Sequence, residues 1–357
     1  MTNFALARQR LHQHRLASGA FAAPEEAVAW LGAMQAQEYG PARWAVGIRC
    51  AGVTEASVAQ AVAEGRLIRT WAMRGTLQLI AAADSRWLLE LLGPVVLARR
   101  DAAYRKMGVG AADFEAIGPV LRDSLRGGPL TRPEVFAALE RGGHSAAGQR
   151  GYYILTRAAL MGWLCLGPLR GKQETYTLLE NSAPDAPSLP RAEALAELAR
   201  RYFSSHGPAT LADYAWWSGL TLAEARVGLG AAQADLVEQR VNGQTYWAPT
   251  GPPPAKDAEP AAHLLPAFDE YVLGYTDRTA VLAARHSPRV MSVNGIFYPT
   301  LVIDGEVVGT WKRAVKKDTV TITLSPFAPL KKARQAAVAA AAERYGAFVG
   351  LKAVVAG

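Results

Sequence analysis

Residues 207–249, GPATLADYAWWSGLTLAEARVGLGAAQADLVEQRVNGQTYWAP, contain the strongest structural signals in the chain. Thr221 and Glu224 form a T-x-x-E capping box, a pattern in which two side chains satisfy backbone N–H groups where a helix begins. Asn242-Gly243 then separates two short runs in the way that is typical of a β-hairpin with a tight turn. Two helical stretches precede the capping box, so the order is three helices and a hairpin, which predicts a winged helix.

The same order of elements is predicted twice more upstream, with little sequence identity between the copies. The second copy has helices at 112–126, 131–141 and 149–161, followed by strands in WLCLGP (163–168) and ETYTLLE (174–180). The first copy has helices near 4–17, 25–34 and 55–64, followed by RLIRTWAMRGTLQLI (66–80), two strands interrupted at Arg74-Gly75. Helices at about 84–106 link the first copy to the second.

The pattern changes in the last hundred or so residues of the chain. Residues 290–324 alternate in short β-type runs, with Asp304-Gly305 as a hairpin turn, and an Ala-rich helix is expected at 331–345. The predicted fold class is therefore mainly α with β-hairpin wings (α+β), with three tandem winged-helix motifs and a C-terminal α+β unit. Linkers at 183–190 and 249–262 suggest these domains: 1–110, winged helix 1 with linking helices; 111–185, winged helix 2; 190–250, winged helix 3; 260–357, the β-rich unit with its terminal helix.

Charge and cysteine content narrow the classes of function. Of the 357 residues, 39 are Lys or Arg and 31 are Asp or Glu, and this net charge of +8 suits a polyanionic partner without identifying one. Cys50 and Cys165 lie far apart and lack metal-ligand spacing, so we expect no disulfide framework, no metal site and no cofactor. Without a signal segment or an apolar run approaching roughly 18 residues, we expect no membrane contact and a cytoplasmic, nucleoid-associated protein.

Winged helices usually bind nucleic acid by placing one helix in the major groove. In the third copy this helix has Arg226 as its only basic residue, whereas a base-reading helix normally shows several Arg, Asn or Gln side chains on one face. Residues 300–357 carry nine basic groups against four acidic ones, a strip that either tracks phosphates or is a solvated surface. We therefore expect the winged-helix motifs to form a binding surface for DNA and not to recognise a specific base sequence.

The most unusual feature is Gln35-x-Gln37, within AWLGAMQAQEYGPARWAVGIR (29–49). It follows an apolar helix that is predicted to end near Met34. Side chains at i and i+2 share one side only where the chain is extended, and on a helix they diverge. The residues alone leave two readings open: amides that hydrogen-bond the free carbonyls of a helix end, and a polar pair used for chemistry.

Several segments taken together identify a family. They are Gln35-Ala36-Gln37, TWAMRGTLQLI (70–80), GWLCLGPLRGKQETYTLL (162–179), LLPAFDEYVLGYTDR (264–278) and PTLVIDGEVVGTWKR (299–313). In these segments the chain resembles the winged-helix DNA glycosylases of the AlkZ/YcaQ type, and the likeness covers nearly the whole chain. The resemblance implies three winged helices around a concave, basic cleft and a catalytic Gln-x-Gln motif at Gln35 and Gln37. Gln78 departs from the pattern, because histidine is expected in the strand that begins RGTL.

The chemistry that the resemblance implies is the removal of N7-alkylated purines and the unlinking of interstrand crosslinks. An N7-alkylated guanine is already cationic and leaves as a neutral base, so the enzyme needs only to stabilise the sugar cation and to hold a water near C1′. We expect Gln37 chiefly to position that water and Gln35 to contact the lesion nucleotide or to orient Gln37. Glu38 is the alternative general base. The expected enzyme is a monofunctional glycosylase, a monomer acting on double-stranded DNA that carries alkylated bases.

Other side chains are candidates for binding or support. The expected DNA contacts are Arg69, Arg74, Lys172, Lys312 and Arg313. An internal salt bridge, structural or supporting the site, is expected for Asp269, Asp277 and Arg278. Two other functions remain open from the residues: a non-enzymatic winged-helix transcriptional regulator, which would normally show a dimerisation helix and a basic recognition helix, and a scaffold with an inactive site.

Overall fold

The computed structural model describes residues 3–16, 21–251 and 261–356. The α-helices in these ranges are α1 (Asn3–Gln13), α2 (Pro24–Leu31), α3 (Tyr39–Gly47), α4 (Glu55–Ala63), α5 (Ser85–Arg99), α6 (Asp101–Lys106), α7 (Ala111–Leu125), α8 (Arg132–Arg141), α9 (Arg150–Leu160), α10 (Leu179–Ser182), α11 (Arg191–His206), α12 (Leu211–Ser218), α13 (Leu222–Ala232), α14 (Glu270–Leu273), α15 (Ser287–Val290) and α16 (Lys332–Val349). The predicted linker at 249–262 lies mostly outside the described residues.

The strands are short, apart from one long hairpin near the C-terminus. They are β1 (Met34–Gln35), β2 (Leu67–Trp71), β3 (Leu77–Ala81), β4 (Leu130–Thr131), β5 (Leu164–Leu166), β6 (Thr175–Leu178), β7 (Leu236–Val241), β8 (Gln244–Pro249), β9 (Ala262–Leu265), β10 (Thr300–Ile303), β11 (Glu306–Lys316), β12 (Thr319–Pro326) and β13 (Lys352–Ala356). The fold is thus mixed α and β, as predicted.

The chain divides into two compact units. The first comprises Met1–Val58, Ala196–Trp217 and Thr221–Gly357, and the second comprises Ala59–Leu195 and Ser218–Leu220. These units follow contacts in space, whereas the four predicted segments follow the order of elements along the chain. The number of winged-helix motifs and the segment boundaries therefore stay predictions.

The second unit is built around an antiparallel sheet with the strand order β3-β2-β5-β6-β4. Helices α5, α7 and α9 contribute apolar side chains to its core, among them Val96, Ile117 and Leu155. The elements predicted for the second copy are found, including the capping box at the start of α8, where Thr131 N donates to Glu134 Oε2 (2.7 Å). This agreement reflects the strength of local start and stop signals.

The first unit contains a five-stranded sheet with the order β13-β12-β11-β10-β9. Strand β13 is parallel to β12, and the other neighbours are antiparallel. The predicted turn is present, because Asp304 and Gly305 both have positive φ (55° and 87°) between β10 and β11. The C-terminal helix α16 packs on this sheet and ends at Gly350, whose left-handed backbone (φ 70°) favours glycine. Strands β9 and β13 were not predicted.

The quoted segment 207–249 forms the elements that it predicts. Helix α11, which ends directly before the segment, and helices α12 and α13 within it are followed by the β7–β8 hairpin. The capping box is closed at both ends, since Thr221 N donates to Glu224 Oε2 (3.0 Å) and Glu224 N donates to Thr221 Oγ1 (3.2 Å). Asn242 and Gly243 have positive φ (50° and 80°), as a tight hairpin turn requires.

The segment before the Gln-x-Gln motif differs from the prediction. Helix α2 ends at Leu31 and not near Met34, because the chain turns at Gly32 with φ 79° and then becomes extended in β1. Helix α3 begins at Tyr39, has Pro41 in its first turn and was not predicted. A proline in the first turn of a helix is compatible with helix formation because no N–H is needed there.

Candidate active site

The Gln-x-Gln motif lies in the short connection between α2 and α3, which is a strand at Met34–Gln35 and bends at Gln37 and Glu38. Gln35 closes β1 and is 9% exposed, Ala36 is fully buried, and Gln37 and Glu38 are exposed. Glu38 has extended backbone angles and caps α3 through its carbonyl, which accepts from Ala42 N (3.0 Å). Side chains at i and i+2 share one side in an extended chain, and here the strand ends at Gln35, before the bend at Gln37.

A buried carboxylate accepts a hydrogen bond from the backbone of this segment. Glu270, 2% exposed, accepts a hydrogen bond from the backbone N–H of Gln35 at Oε1 (2.9 Å) and from Trp217 Nε1 at Oε2 (2.9 Å). Glu270 was not predicted as a site residue, although it lies in the family-like segment 264–278. The available signal was an acidic residue flanked by apolar and aromatic side chains, which burial makes costly unless it is hydrogen-bonded.

The His206 ring lies against the same carboxylate. Its Nε2 is 3.8 Å from Glu270 Oε2, a separation too long for a hydrogen bond, while Nδ1 is 2.8 Å from Ser205 Oγ. The ring stacks on Tyr202, with centroids 4.6 Å apart. Burial lowers the pKa of His206, an effect that Glu270 only partly offsets. The carboxylate therefore faces a neutral ring at neutral pH.

A second buried acid fixes the helix that carries Glu270. Asp269 forms a bidentate ion pair with Arg49 (2.8 Å for each contact), and neither side chain is more than 1% exposed. Asp269 also caps α14, accepting from Tyr271 N (2.9 Å). The predicted internal salt bridge is thus confirmed for Asp269, with a partner that was not predicted. Because α14 begins at Glu270, this pair restrains the carboxylate that holds Gln35.

The structure corrects the interpretation of Asp277 and Arg278. Asp277 closes a turn by accepting from Thr279 N (2.8 Å). Arg278 donates from Nε to the carbonyl of Val272 (2.8 Å), and its guanidinium lies over the Trp216 ring, 5.3 Å from the centroid. In place of the expected ion pair, Arg278 ties α14 to the following loop through a main-chain carbonyl and an aromatic ring.

The long hairpin β11–β12 has an exposed, basic end. Residues 312–318 are all exposed, and the chain turns at Lys317 (φ 51°). This end contains four cations and one acidic residue: Lys312, Arg313, Lys316, Lys317 and Asp318. Two of the predicted DNA contacts, Lys312 and Arg313, therefore lie on a surface that is able to meet phosphates.

Arg313 also connects the hairpin to α3, the helix that follows the Gln-x-Gln segment. Its guanidinium donates to the hydroxyl of Tyr345, and its Nη2 would lie 3.4 Å from a methyl group placed at Gly40, in the first turn of α3. The Tyr345 ring makes edge contacts with Trp44 of α3 and Trp311 of β11, with centroids 5.0 and 5.3 Å apart. The basic hairpin is thus packed against the helix that begins two residues after Gln37.

The second unit carries two further predicted DNA contacts at β2 and β3. Arg69 is 4% exposed and forms an ion pair with Glu174 (2.7 Å), so the expected exposed cation is a buried one. The pair joins β2 to the residue just before β6, and contact with a phosphate would require breaking it. Arg74 is half-buried in the turn between β2 and β3, with φ 54°, where it packs beside Gly219.

Lys172 is the exposed candidate of the second unit. It lies in the loop between β5 and β6, directly after Gly171, which has φ 64°. Gln78, at the position where histidine was expected, is buried and donates from Nε2 to Thr76 Oγ1 (2.8 Å). Gln78 therefore makes a local contact with the turn that precedes its strand.

Residues 3–16, 21–251 and 261–356 contain no group of three or more His, Cys, Asp or Glu placed to hold a metal ion. In the same part of the chain, no helix combines the length and apolar character needed to cross a membrane.

The family follows from comparison with known proteins. The sequence model of the AlkZ-like DNA glycosylases matches residues 28–348. The chain belongs to the AlkZ-like DNA glycosylase family. A curated relative, the interstrand DNA cross-link repair glycosylase of Streptomyces sahachiroi, is 30% identical over 311 residues, which is 81% of each chain. The solved structure of Streptomyces sahachiroi DNA glycosylase AlkZ is similar throughout both chains, with a TM-score of 0.81 and 26% identity.

Membership of the AlkZ-like family settles the general activity. The protein is a DNA glycosylase, a DNA-repair enzyme whose substrate is DNA. The alternative of a non-enzymatic transcriptional regulator is set aside accordingly. The poor basic content of α13, in which Arg226 is the single cation, agrees with this result.

Proposed function

We propose that this AlkZ-like glycosylase hydrolyses the N-glycosidic bond of N7-alkylated purines in double-stranded DNA, including those that form interstrand crosslinks. The observation that carries the proposal is the Gln35-x-Gln37 segment, anchored at the buried Gln35 and exposed at Gln37. The name of the Streptomyces sahachiroi relative, a cross-link repair glycosylase, supports the crosslink part of the proposal.

Neutral amides suit a substrate that is already charged. N7 alkylation makes the purine a cation, so that it departs as a neutral base without a proton from the enzyme. The remaining demands are a hydrogen-bonded water near C1′ and stabilisation of the cationic sugar, which fixed amide dipoles provide. An uncharged purine lacks this built-in activation, so such a site discriminates against undamaged DNA.

The two glutamines divide the task according to their exposure. Gln37, exposed at the end of the segment, positions the water; Gln35, buried beside the anchor, contacts the lesion nucleotide or orients Gln37. Glu38 is the competing general base, because it is exposed and adjacent. A carboxylate base would give a pH dependence that amides lack, which separates the two assignments.

The basic end of the β11–β12 hairpin supports binding to duplex phosphates. Lys312, Lys316 and Lys317 are exposed there, and Arg313 joins the hairpin to the start of α3. Phosphate contacts position a protein on DNA without reading sequence, which is what a repair enzyme acting at scattered lesions requires. In the proposed complex this hairpin holds the backbone near the Gln-x-Gln segment.

The test is base release from a duplex that carries one 7-methylguanine, followed by alkali and detection of the cleaved strand. Gln37→Ala should lower the single-turnover rate by roughly 10²- to 10³-fold, the effect of removing one positioned polar group. Gln35→Ala should also lower the rate. Gln335→Ala, which removes an exposed glutamine of α16, is the matched control and should keep the wild-type rate. Breakage that is independent of the lesion or of both glutamines would overturn the proposal.

Two further measurements complete the assignment. Glu38→Gln should retain most of the activity if the amides carry the reaction, and a loss as large as that of Gln37→Ala would transfer the base role to Glu38. As a monofunctional glycosylase the enzyme should leave an intact abasic strand. Trapping of an enzyme–DNA adduct by borohydride would contradict that part.

We also propose that the enzyme acts as a monomer and in the cytoplasm, associated with the nucleoid, because its substrate is damaged duplex DNA. Light scattering of the full chain, alone and with a short duplex, tests the first point. A dimer in either sample would contradict it.

A further inference from the structure

We propose that Glu270 is a positioning residue for the Gln-x-Gln segment: its buried carboxylate fixes the backbone at Gln35 and thereby aims both amides. The inference deepens the proposed function, on which it rests for the roles of Gln35 and Gln37. The carboxylate touches the N–H of Gln35, so it acts through the segment and not on the reacting atoms.

Both oxygens of Glu270 are used by N–H donors. Oε1 accepts from the backbone of Gln35 and Oε2 from the indole of Trp217, each at 2.9 Å. A glutamine in this place would have one acceptor oxygen and would turn an NH₂ group toward one of the two donors. Hydrogen bonds to an ionised acceptor are roughly twice as strong as neutral ones. The arrangement therefore selects a carboxylate over its amide isostere.

The helix that carries Glu270 is pinned on two sides. At its start, Asp269 is locked by the bidentate pair with Arg49. At its end, a methyl group at Gly274 would lie 2.6 Å from His206 Cδ2, so the backbone of α14 packs directly against the ring. Because α14 is held at both ends, Glu270 presents its Oε1 to the Gln35 N–H from a restrained backbone.

The chain enters the anchored segment at a turn that packs against a partner of Glu270. Gly32, with φ 79°, turns the chain against Trp217, whose ring would be 3.4 Å from a methyl group there. Trp217 in turn donates to Glu270, so the entry and the anchor of the segment share one contact network. A displacement of about 1 Å in a reacting group costs on the order of 10²-fold in rate.

The test compares Glu270→Gln with Asp213→Asn in the full chain. Asp213 is the matched control, a buried acid of the same unit that accepts backbone N–H bonds from Thr210 (3.0 Å) and Thr276 (2.8 Å). Single-turnover rates on the 7-methylguanine duplex and duplex Kd are measured well below each variant's Tm. Glu270→Gln should lower the rate by about 10²-fold with Kd within twofold, whereas Asp213→Asn should lower Tm without lowering the rate.

A spectroscopic readout separates positioning from general destabilisation. The backbone ¹H–¹⁵N signal of Gln35 should shift in Glu270→Gln, together with the side-chain amide signals of Gln37, and should not shift in Asp213→Asn. Glu270→Asp keeps the charge but is too short to reach both donors, so its rate should fall between those of wild type and Glu270→Gln. Glu270→Asp also provides the test if Glu270→Gln does not fold.

The outcomes distinguish this inference from the proposed function. If Gln37→Ala is inactive but Glu270→Gln keeps the wild-type rate, Glu270 is not a positioning residue and the proposed function stands. If the wild-type enzyme does not act on the lesion, the proposed function fails. The inference is then judged by the spectra alone, and it also fails if the Gln35 and Gln37 signals do not shift in Glu270→Gln. Equal rate losses in Glu270→Gln and Asp213→Asn would reduce both acids to structural roles.

Discussion

Two regions of the first unit hold their charges in opposite ways. Under the Gln-x-Gln segment, Arg49, Asp269 and Glu270 are almost fully buried, and each is matched by an opposite charge or by N–H donors. On the β11–β12 hairpin, residues 312–318 are exposed, and cations outnumber acids by four to one. The first arrangement suits the holding of a fixed geometry, and the second suits the attraction of a polyanion.

The difference follows from desolvation. A buried ion costs several kcal/mol to remove from water, a cost that only well-placed partners offset, so the buried set is intolerant of change. Exposed cations keep their hydration and act over about 10 Å at 0.1 M salt, so they tolerate substitution but respond to ionic strength. Catalytic geometry and DNA affinity should therefore be separable by mutation.

The largest expected effect is the loss of stability when the buried Arg49–Asp269 ion pair is broken. Arg49→Ala leaves the buried Asp269 carboxylate without its cationic partner and should lower the free energy of unfolding by about 3–5 kcal/mol. Denaturant unfolding followed by circular dichroism measures the loss. Arg126→Ala, which removes one end of an exposed pair with Asp123, is the control and should change stability little. A loss below about 1 kcal/mol for Arg49→Ala would contradict the distinction drawn from burial.

The next effect is on affinity and not on stability. The triple variant Lys312→Gln, Lys316→Gln, Lys317→Gln removes exposed cations and should weaken duplex binding by roughly 10- to 100-fold at 0.1 M salt. The slope of log Kd against log salt should fall by about 2–3, near one per lost phosphate contact. Lys331→Gln with Lys332→Gln, exposed at the start of α16, tests whether any two lysines would do. A slope change per removed lysine that is equal in both variants would deny the hairpin a specific role.

The contrast also explains which features the sequence predicts. In 207–249, the Thr221–Glu224 box and the Asn242-Gly243 turn act within a few residues, so the pattern itself carries the information. The Gln-x-Gln segment was identified from its composition and its family resemblance. Its anchor could not be predicted, because Glu270 lies 235 residues away along the chain.

Errors in the predicted site have the same origin. Arg69 was expected to be exposed, but its partner Glu174 is 105 residues away and the strand pairing that brings them together has no local signal. The Arg49–Asp269 pair spans 220 residues. Sequence periodicity assigns a charge to an element, whereas burial of that charge depends on which elements pack together.

A third prediction concerns a buried group that has no charge to match. His263 on β9 is buried, both ring nitrogens lack a hydrogen-bond partner among the described residues, and Arg344 and Arg49 lie nearby. Burial, with a smaller contribution from these arginines, lowers the pKa of His263 to about 3. The unfolded chain then binds a proton more readily than the folded one as the pH falls below about 6.5.

The sign of the effect is a loss of stability at acid pH. Protonation of the unfolded state should lower the free energy of unfolding by about 1.4 kcal/mol per pH unit between the unfolded and folded pKa values, and the full stability is present above about pH 6.5. His263→Leu should reduce that slope between pH 6.5 and 5 in denaturant unfolding. A slope equal to that of wild type would show that water or a rearrangement accommodates the charged ring.

The smallest expected effect is the coupling free energy of an exposed ion pair, which tests whether pairing or burial determines how much an ion pair contributes to stability. Arg122 and Glu180 form an ion pair as short as 3.1 Å, yet their side chains are 44% and 54% exposed. A double-mutant cycle with Arg122→Gln and Glu180→Gln should give a coupling of about 0–1 kcal/mol that decreases with added salt. If the coupling instead approached the effect of Arg49→Ala, pairing alone would account for the rigidity assigned to the Asp269 network. A small, salt-sensitive coupling leaves burial as the property that separates the charges that hold the Gln-x-Gln segment from those that face DNA.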